Sequence, residues 1–204
     1  MKCVAIVDYG LANIRSVENA LRCFDVEVRV AEAGAALDEA DAIVLPGVGS
    51  FDAGMRGLHE RGHVEALERH VYKGGRPFLG ICLGMQFLLE GSEEGEVPGF
   101  GWLPGKCRRL TGEGLRIPHI GWNEVRVEKA AMLFQGMTPP LDFYFVHSYF
   151  VPAEGGLRDV ATATCDYGGP FVAALTQGNI HAVQFHPEKS QLAGMKLIET
   201  FLSA

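Results

Sequence analysis

Within the first 90 residues, short apolar runs that end in turn residues alternate with segments of helical periodicity. "CVAIV" (3–7), rich in β-branched residues, stops at Asp8, Tyr9 and Gly10. From Asn13 onward, Ile14, Val17, Leu21 and Phe24 recur at three- and four-residue steps, which marks one buried helix face opened by an Asn cap. "VEVRV" (26–30) alternates as a strand, and "DAIVLPG" (41–47) reads as a buried strand stopped by Pro46 and Gly47. A helical region covers about 52–72, followed by a strand in "PFLGI" and a helix in "GMQFLLEG". Strands joined through helices pair in parallel, because the crossover returns the chain to the same end of the sheet.

The second half is built differently. Gly- and Pro-rich joints separate short strands near 105–110, 122–127, 143–150, 159–165, 170–176 and 179–185, and a closing helix starts near 192. No Ser/Gly linker divides the 204 residues. The expectation is a single α/β domain over 1–204, with a mostly parallel central sheet flanked by helices and antiparallel β additions in the C-terminal half.

Charge and cysteine usage narrow the functional classes. The net charge is −7 and the Lys and Arg are scattered, which disfavours a nucleic-acid groove. No apolar run reaches membrane-spanning length, and the one at the N-terminus is too short for a signal peptide. Five cysteines without framework spacing fit a reducing compartment. A cytoplasmic protein without membrane or nucleic-acid partners is expected.

"FLGICLGMQFLL" (78–89) places Cys82 where a strand turns into a helix, with Gly80 and Gly84 on either side. G-x-C-x-G matches the nucleophile elbow, a strained turn that exposes its central side chain and needs glycines where Cβ atoms would collide. A helix N-terminus at the elbow favours thiolate. A buried, inert cysteine would also fit, so a base has to decide. "HAVQFHPEKS" (181–190) supplies one: a strand ends at His186, Pro187 stiffens the tether, and Glu188 can turn back to orient the ring. Cys82, His186 and Glu188 thus form a set of nucleophile, base and orienter. "LPGVGSF" (45–51) follows a buried strand and can point the Val48 N–H into the cleft as an oxyanion donor, with the Leu83 N–H as the second. Gly47 and Gly49 would let the peptide between Gly47 and Val48 turn over.

Together, "GICLGMQ", "HPEKS" and "PGVGSF" resemble the triad-type (class I) glutamine amidotransferases. "PHIGWNEV" and "FYFVHSYF" are similar to the glutaminase subunits of imidazole glycerol phosphate synthases within that family. The resemblance runs from Asp8 to Ser190, with Ala12 standing where many members carry glycine. It implies hydrolysis of L-glutamine through a Cys82 thioester and transfer of ammonia to a (β/α)₈-barrel cyclase in a heterodimer. It also implies activity that is latent until the partner binds. By the same resemblance, Gly49, Gln86, Glu94, Ser148 and Tyr149 hold the amino-acid end of the substrate. Asn13, Trp122, Tyr144 and Lys189 face the partner, although Trp122 could equally be core. No cofactor is implied. A glutaminase subunit serving another synthase is the alternative.

"HERGH" (59–63) matches the zinc motif H-E-x-x-H, which requires a continuous helix and a third ligand. Gly62 lies inside it, and Arg56 and Arg61 bring positive charge close by, so no metal is expected. His59 and His63 read as surface residues of a frayed helix, and His70 as another solvated ring.

Overall fold

The computed structural model describes residues 1–203. Its strands are β1 Lys2–Val7, β2 Val26–Ala31, β3 Ala42–Gly47, β4 Phe78–Cys82, β5 Leu89–Ser92, β6 Leu103–Arg109, β7 His119–Glu124, β8 Arg126–Val127, β9 Asp142–His147, β10 Tyr149–Phe150, β11 Ala161–Asp166, β12 Pro170–Gln177 and β13 Ile180–Val183. The α-helices are α1 Ile14–Leu21, α2 Phe51–Glu60, α3 His63–Leu67, α4 Leu83–Gln86, α5 Gly155–Val160 and α6 Gln191–Leu202.

The main sheet runs in the order β2-β1-β3-β4-β13-β12-β11-β8. Pairing is parallel from β2 through β13 and antiparallel from there to β8. A three-stranded sheet, β10-β6-β5, and a β7–β9 ribbon complete the α/β domain. Side chains alternate across the main sheet: Ala5, Val7, Ile43 and Leu45 enter one core with Phe51, Met55 and Phe87. Val4, Ile6, Ala42 and Val44 enter the other with Val17, Leu21, Phe143, Phe185 and Phe201. Strands buried on both faces explain the unbroken apolar runs of the first half.

Several local expectations change in the folded chain. Pro46 and Gly47 do not stop β3; they continue it, pairing with Ile81 and Cys82. The last β1 partner is Val44, so the missing Pro46 N–H costs no bond on that side. The 52–72 region breaks at Gly62, which has φ +68, and its last turn is a π-helix over Glu68–Tyr72. Asn13 does precede α1, but its side chain makes no capping bond. The helix expected in "GMQFLLEG" ends at Gln86, because Leu89–Ser92 pairs with β6. The 122–127 strand is divided: Val125 gives its N–H to the Leu141 carbonyl, and only Arg126–Val127 joins the main sheet. Residues 155–160 form α5 before the strand expected at 159–165 begins.

The site is positioned by the way α4 seats on the sheet. A Cβ on Gly84 would lie 1.9 Å from the Leu45 carbonyl oxygen, and one on Gly80 would lie 2.8 Å from the Gly84 oxygen. Only glycine allows this crossing, and the crossing holds Cys82 at the end of β4. Gly84→Ala is therefore expected to lower stability by about 3 kcal/mol, the upper range for overpacking. Urea unfolding measures this, and a wild-type midpoint would contradict the seating described.

Candidate active site

Parallel strands β3, β4 and β13 end side by side, where ligands of open α/β sheets bind. Cys82 has φ 55 and ψ −104, a left-handed conformation for a residue with a side chain. Such a conformation costs about 1–3 kcal/mol and persists only where the surroundings impose it. Here the imposing groups are the β3 and β13 pairings before Cys82 and the glycine-seated turn after it. With only four residues, α4 offers a weak helix dipole, so the charge on the sulfur depends mainly on side chains.

His186 is buried, and its Nδ1 lies 2.8 Å from Glu188 Oε1, itself buried. That contact assigns the ring proton to Nδ1 and leaves Nε2 facing inward toward Cys82. Nε2 makes no formed hydrogen bond in this resting geometry, although Cys82 lies within interaction range. Catalytic contacts of this kind tighten when substrate binds. Burial pulls the His186 pKa down, but its interactions with Cys82 and Glu188 outweigh it, and the net shift is upward. The upward shift favours protonation of the ring beside the sulfur. Backbone bonds keep it there: the His186 N–H donates to the Tyr144 carbonyl at 2.9 Å, and Ser190 Oγ donates to the His186 carbonyl at 2.6 Å. Ser190 Oγ in turn accepts the Tyr144 N–H at 3.0 Å, tying "HPEKS" to β9.

A cavity of about 260 Å³ opens beside Cys82, lined by Val48, Gly49, Leu83, Gln86, Glu94, Ser148 and Tyr149. All five residues expected at the substrate's amino-acid end thus share one wall system with the thiol. Glu94 Oε2 accepts the Phe51 N–H at 2.7 Å, capping α2 from a distant loop. Pro118, Val146 and His147 line the same cavity and were not singled out in the sequence. His147 Nδ1 donates to the Tyr149 carbonyl at 2.9 Å, its Nε2 lies 3.1 Å from His119 Nδ1, and His119 stacks on Tyr167 at 3.8 Å. "PHI" and "VHS" contain these rings, but only β7–β9 pairing, which sets His119 opposite His147, brings them together.

The two N–H groups expected as oxyanion donors differ in their surroundings. Leu83 opens α4, so its N–H has no partner within the helix. The Val48 N–H instead donates to the Leu11 carbonyl at 3.1 Å, and in this conformation it is not aimed at the sulfur. Gly49, with φ +93, lies immediately after it.

Trp122, Tyr144 and Lys189 lie together. The two aromatic rings meet edge-on at 6.3 Å, and Lys189 Nζ is 5.8 Å from the Tyr144 ring centroid. Trp122 is 49% exposed, which removes it from the core, and Ile120 on the same strand face is 60% exposed. Asn13 leads into α1, which packs against the turn at 187–189.

The helix of "HERGH" breaks between its histidines, so the two rings do not share one helix face, and no cluster of three or more His, Cys, Asp or Glu placed to hold a metal occurs among the described residues. His63 is not a surface residue; it is fully buried, with Nε2 3.0 Å from the Asp8 carbonyl. His59 is exposed, and His70 is held 2.7 Å from Asp38 Oδ1.

The family profile described as glutamine amidotransferase class-I matches residues 5–204. The chain is 43% identical to the imidazole glycerol phosphate synthase subunit HisH of Moorella thermoacetica, over 98% of this chain and 94% of that protein. It is 46% identical to the protein of the same name from Symbiobacterium thermophilum, over 97% and 92%. Two solved structures share the fold: a glutamine amidotransferase with TM-score 0.73 at 20% identity, covering 98% and 97%, and PurLQS from Thermotoga maritima with TM-score 0.71 at 22% identity, covering 99% and 98%.

Burial lowers the pKa of His147 to about 3 and those of His119 and His181 to about 4, so all three rings are neutral in the fold. An unfolded chain takes up these protons below about pH 6.5, whereas the folded chain does not. Their contribution to stability is full above that pH and is lost as pH falls toward the folded values. About 1 kcal/mol per ring should disappear one pH unit below the unfolded value. Urea midpoints compared near pH 7.5 and pH 5.5 test this, and equal midpoints would refute it.

Proposed function

Because the chain belongs to the class-I glutamine amidotransferase family, we propose that Cys82, His186 and Glu188 are the triad with which it hydrolyses L-glutamine. It is the glutaminase subunit of an imidazole glycerol phosphate synthase, releasing glutamate and supplying ammonia to a cyclase subunit in histidine biosynthesis. The products on the cyclase side are imidazole glycerol phosphate and AICAR. The observation that carries the assignment of residues is the buried His186–Glu188 contact beside a strained cysteine at the mouth of a small cavity.

In this reading the Cys82 sulfur attacks the γ-carboxamide carbon, forming the C–S bond. His186 passes a proton from Nε2 to the departing nitrogen as the C–N bond breaks and ammonia leaves. Water then attacks the γ-glutamyl thioester with His186 as base, and glutamate departs as Cys82 is restored. Glu188 holds the ring in the tautomer this exchange needs. Gly49, Gln86, Glu94, Ser148 and Tyr149 surround the amino-acid end of the substrate, and a cavity of this size suits one amino acid better than a peptide.

Leu83 supplies one oxyanion donor. The second, Val48, requires the Gly47–Val48 peptide to turn away from Leu11, and the glycines on either side allow that turn. One missing donor costs about 10²–10³ in rate. A resting state with Val48 committed to Leu11 supports a latent glutaminase that the partner activates by favouring the turned peptide. The partner is a (β/α)₈ barrel, bound as a heterodimer over Asn13, Trp122, Tyr144 and Lys189, where an exposed Trp beside Tyr and Lys makes a suitable anchor. The complex works in the cytoplasm; no helix among the described residues is long and apolar enough to cross a membrane.

Glutamate release from the purified chain, with and without the cyclase subunit and its nucleotide ligand, tests the proposal. Turnover is expected to rise about 100-fold or more across these steps. Cys82→Ala should abolish it while the complex still makes product from added ammonia. Wild-type hydrolysis by Cys82→Ala would overturn the triad, and a lone chain as fast as the full complex would overturn the latency.

A further inference from the structure

We propose that Gln184 is a further catalytic residue: its side-chain amide donates a hydrogen bond to the Cys82 sulfur and favours the thiolate that attacks the substrate. Gln184 is fully buried, one position beyond β13. Ile81 pairs with Val183, so the register sets Gln184 beside Cys82. Gln184 Nε2 lies 3.6 Å from Cys82 Sγ, a distance suited to the large radius of sulfur.

The orientation of this amide follows from its neighbours. The Tyr149 carbonyl can only accept, so Gln86 must present its NH₂ group there, at 2.8 Å. The same nitrogen reaches Gln184 Oε1 at 3.1 Å, which requires Gln184 to turn its oxygen toward Gln86. Its nitrogen is then left on the side of the sulfur. A chain of three groups, read from a backbone carbonyl outward, ends in an N–H aimed at the nucleophile.

The surroundings give that N–H a specific effect. A protonated Cys82 has an acceptor in the Val146 carbonyl at 3.8 Å. A thiolate is repelled by that carbonyl and attracted by the Gln184 amide, so Gln184 shifts the balance toward the anion. The ionisable groups around Cys82 are His186 after β13, Tyr9 after β1 and Cys107 on β6, with Glu188 behind His186 and Glu94 and His147 lining the same cavity. Gln184 adds a neutral donor to this set, and its action does not require a proton of its own. The same chain ties the nucleophile to the substrate pocket. With its NH₂ group engaged by Tyr149 and Gln184, Gln86 keeps its carbonyl oxygen for the cavity it lines.

This inference rests on Cys82 being the nucleophile, and the test separates the two. The full chain carrying Gln184→Met keeps the size of the side chain and loses its polar atoms. Gln184→Leu also removes the polar atoms, with a branched and uncharged side chain. Alkylation of Cys82 by iodoacetamide, located by peptide mass, is followed across pH together with thermal unfolding. A hydrogen bond to a charged group is worth about one pH unit or more. Both variants should therefore react about tenfold more slowly than wild type near pH 6 and equally fast at alkaline pH, where the sulfur is ionised in all of them. A purely structural role would slow the reaction at every pH or lower the unfolding temperature without moving the profile. A Gln184→Met profile that superimposes on wild type would overturn the proposal; if that variant does not fold, the Gln184→Leu profile decides by the same criterion. Wild-type Cys82 no more reactive than Cys3 near neutral pH would instead overturn its assignment as nucleophile.

Discussion

The Leu45 carbonyl lies so close to the Gly84 backbone that no larger residue fits between β3 and α4. From this contact the rest of the site follows. It forces the chain to turn at Cys82 with positive φ and aims the side chain out of the sheet's end. It places the Leu83 amide beside the sulfur and brings the β3 exit, with Val48 and Gly49, to the same cavity. A backbone–backbone approach carries no side-chain entropy and does not repack, so it is a rigid base for a nucleophile.

The second anchor is the segment after β13. Residues 184, 186 and 188 each direct a polar group inward: Gln184 to the sulfur, His186 to the region beside it, and Glu188 to His186. Buried polar groups are costly unless they find partners. Here most of that cost is met by the Ser190 and Tyr144 bonds and by the Gln86–Gln184 pair. His186 Nε2 and Glu188 Oε2 are left without formed bonds. An unpaired nitrogen beside a sulfur is stabilising for neither, and it is the place where a substrate has most to gain.

The Val48 amide shows the other use of backbone bonding. Its bond to Leu11 stabilises a state that, in the proposed reading, leaves the oxyanion site incomplete. The exposed Trp122 and the half-buried Tyr144 pair across β7 and β9, and the exposed Lys189 ends the 187–189 turn; β9 also carries His147, and His186 immediately precedes that turn. In the proposed reading, a surface mounted on the elements that flank Cys82 and His186 biases the site by small movements of those elements.

Sequence alone determined the parallel half of the sheet, because β-branched runs alternating with helical periodicity have few other solutions. It also determined the strand-to-helix turn at Cys82 and the His-Pro-Glu tether, since each depends on spacings of two or three residues along one chain. Tertiary structure decided what depends on distance. The "GMQFLLEG" segment has a helical pattern, but β6 captures its second half. The Asn13 cap was a matter of side-chain geometry that composition does not encode. Gln184, His119 and His147 were invisible as a set because they lie far apart along the chain, and only strand pairing sets His119 opposite His147 and Gln184 beside Cys82. The orientation of Val48 likewise depended on a carbonyl in another loop. Local chemistry is written in neighbouring residues, whereas hydrogen bonds across the fold exist only once the sheet has assembled.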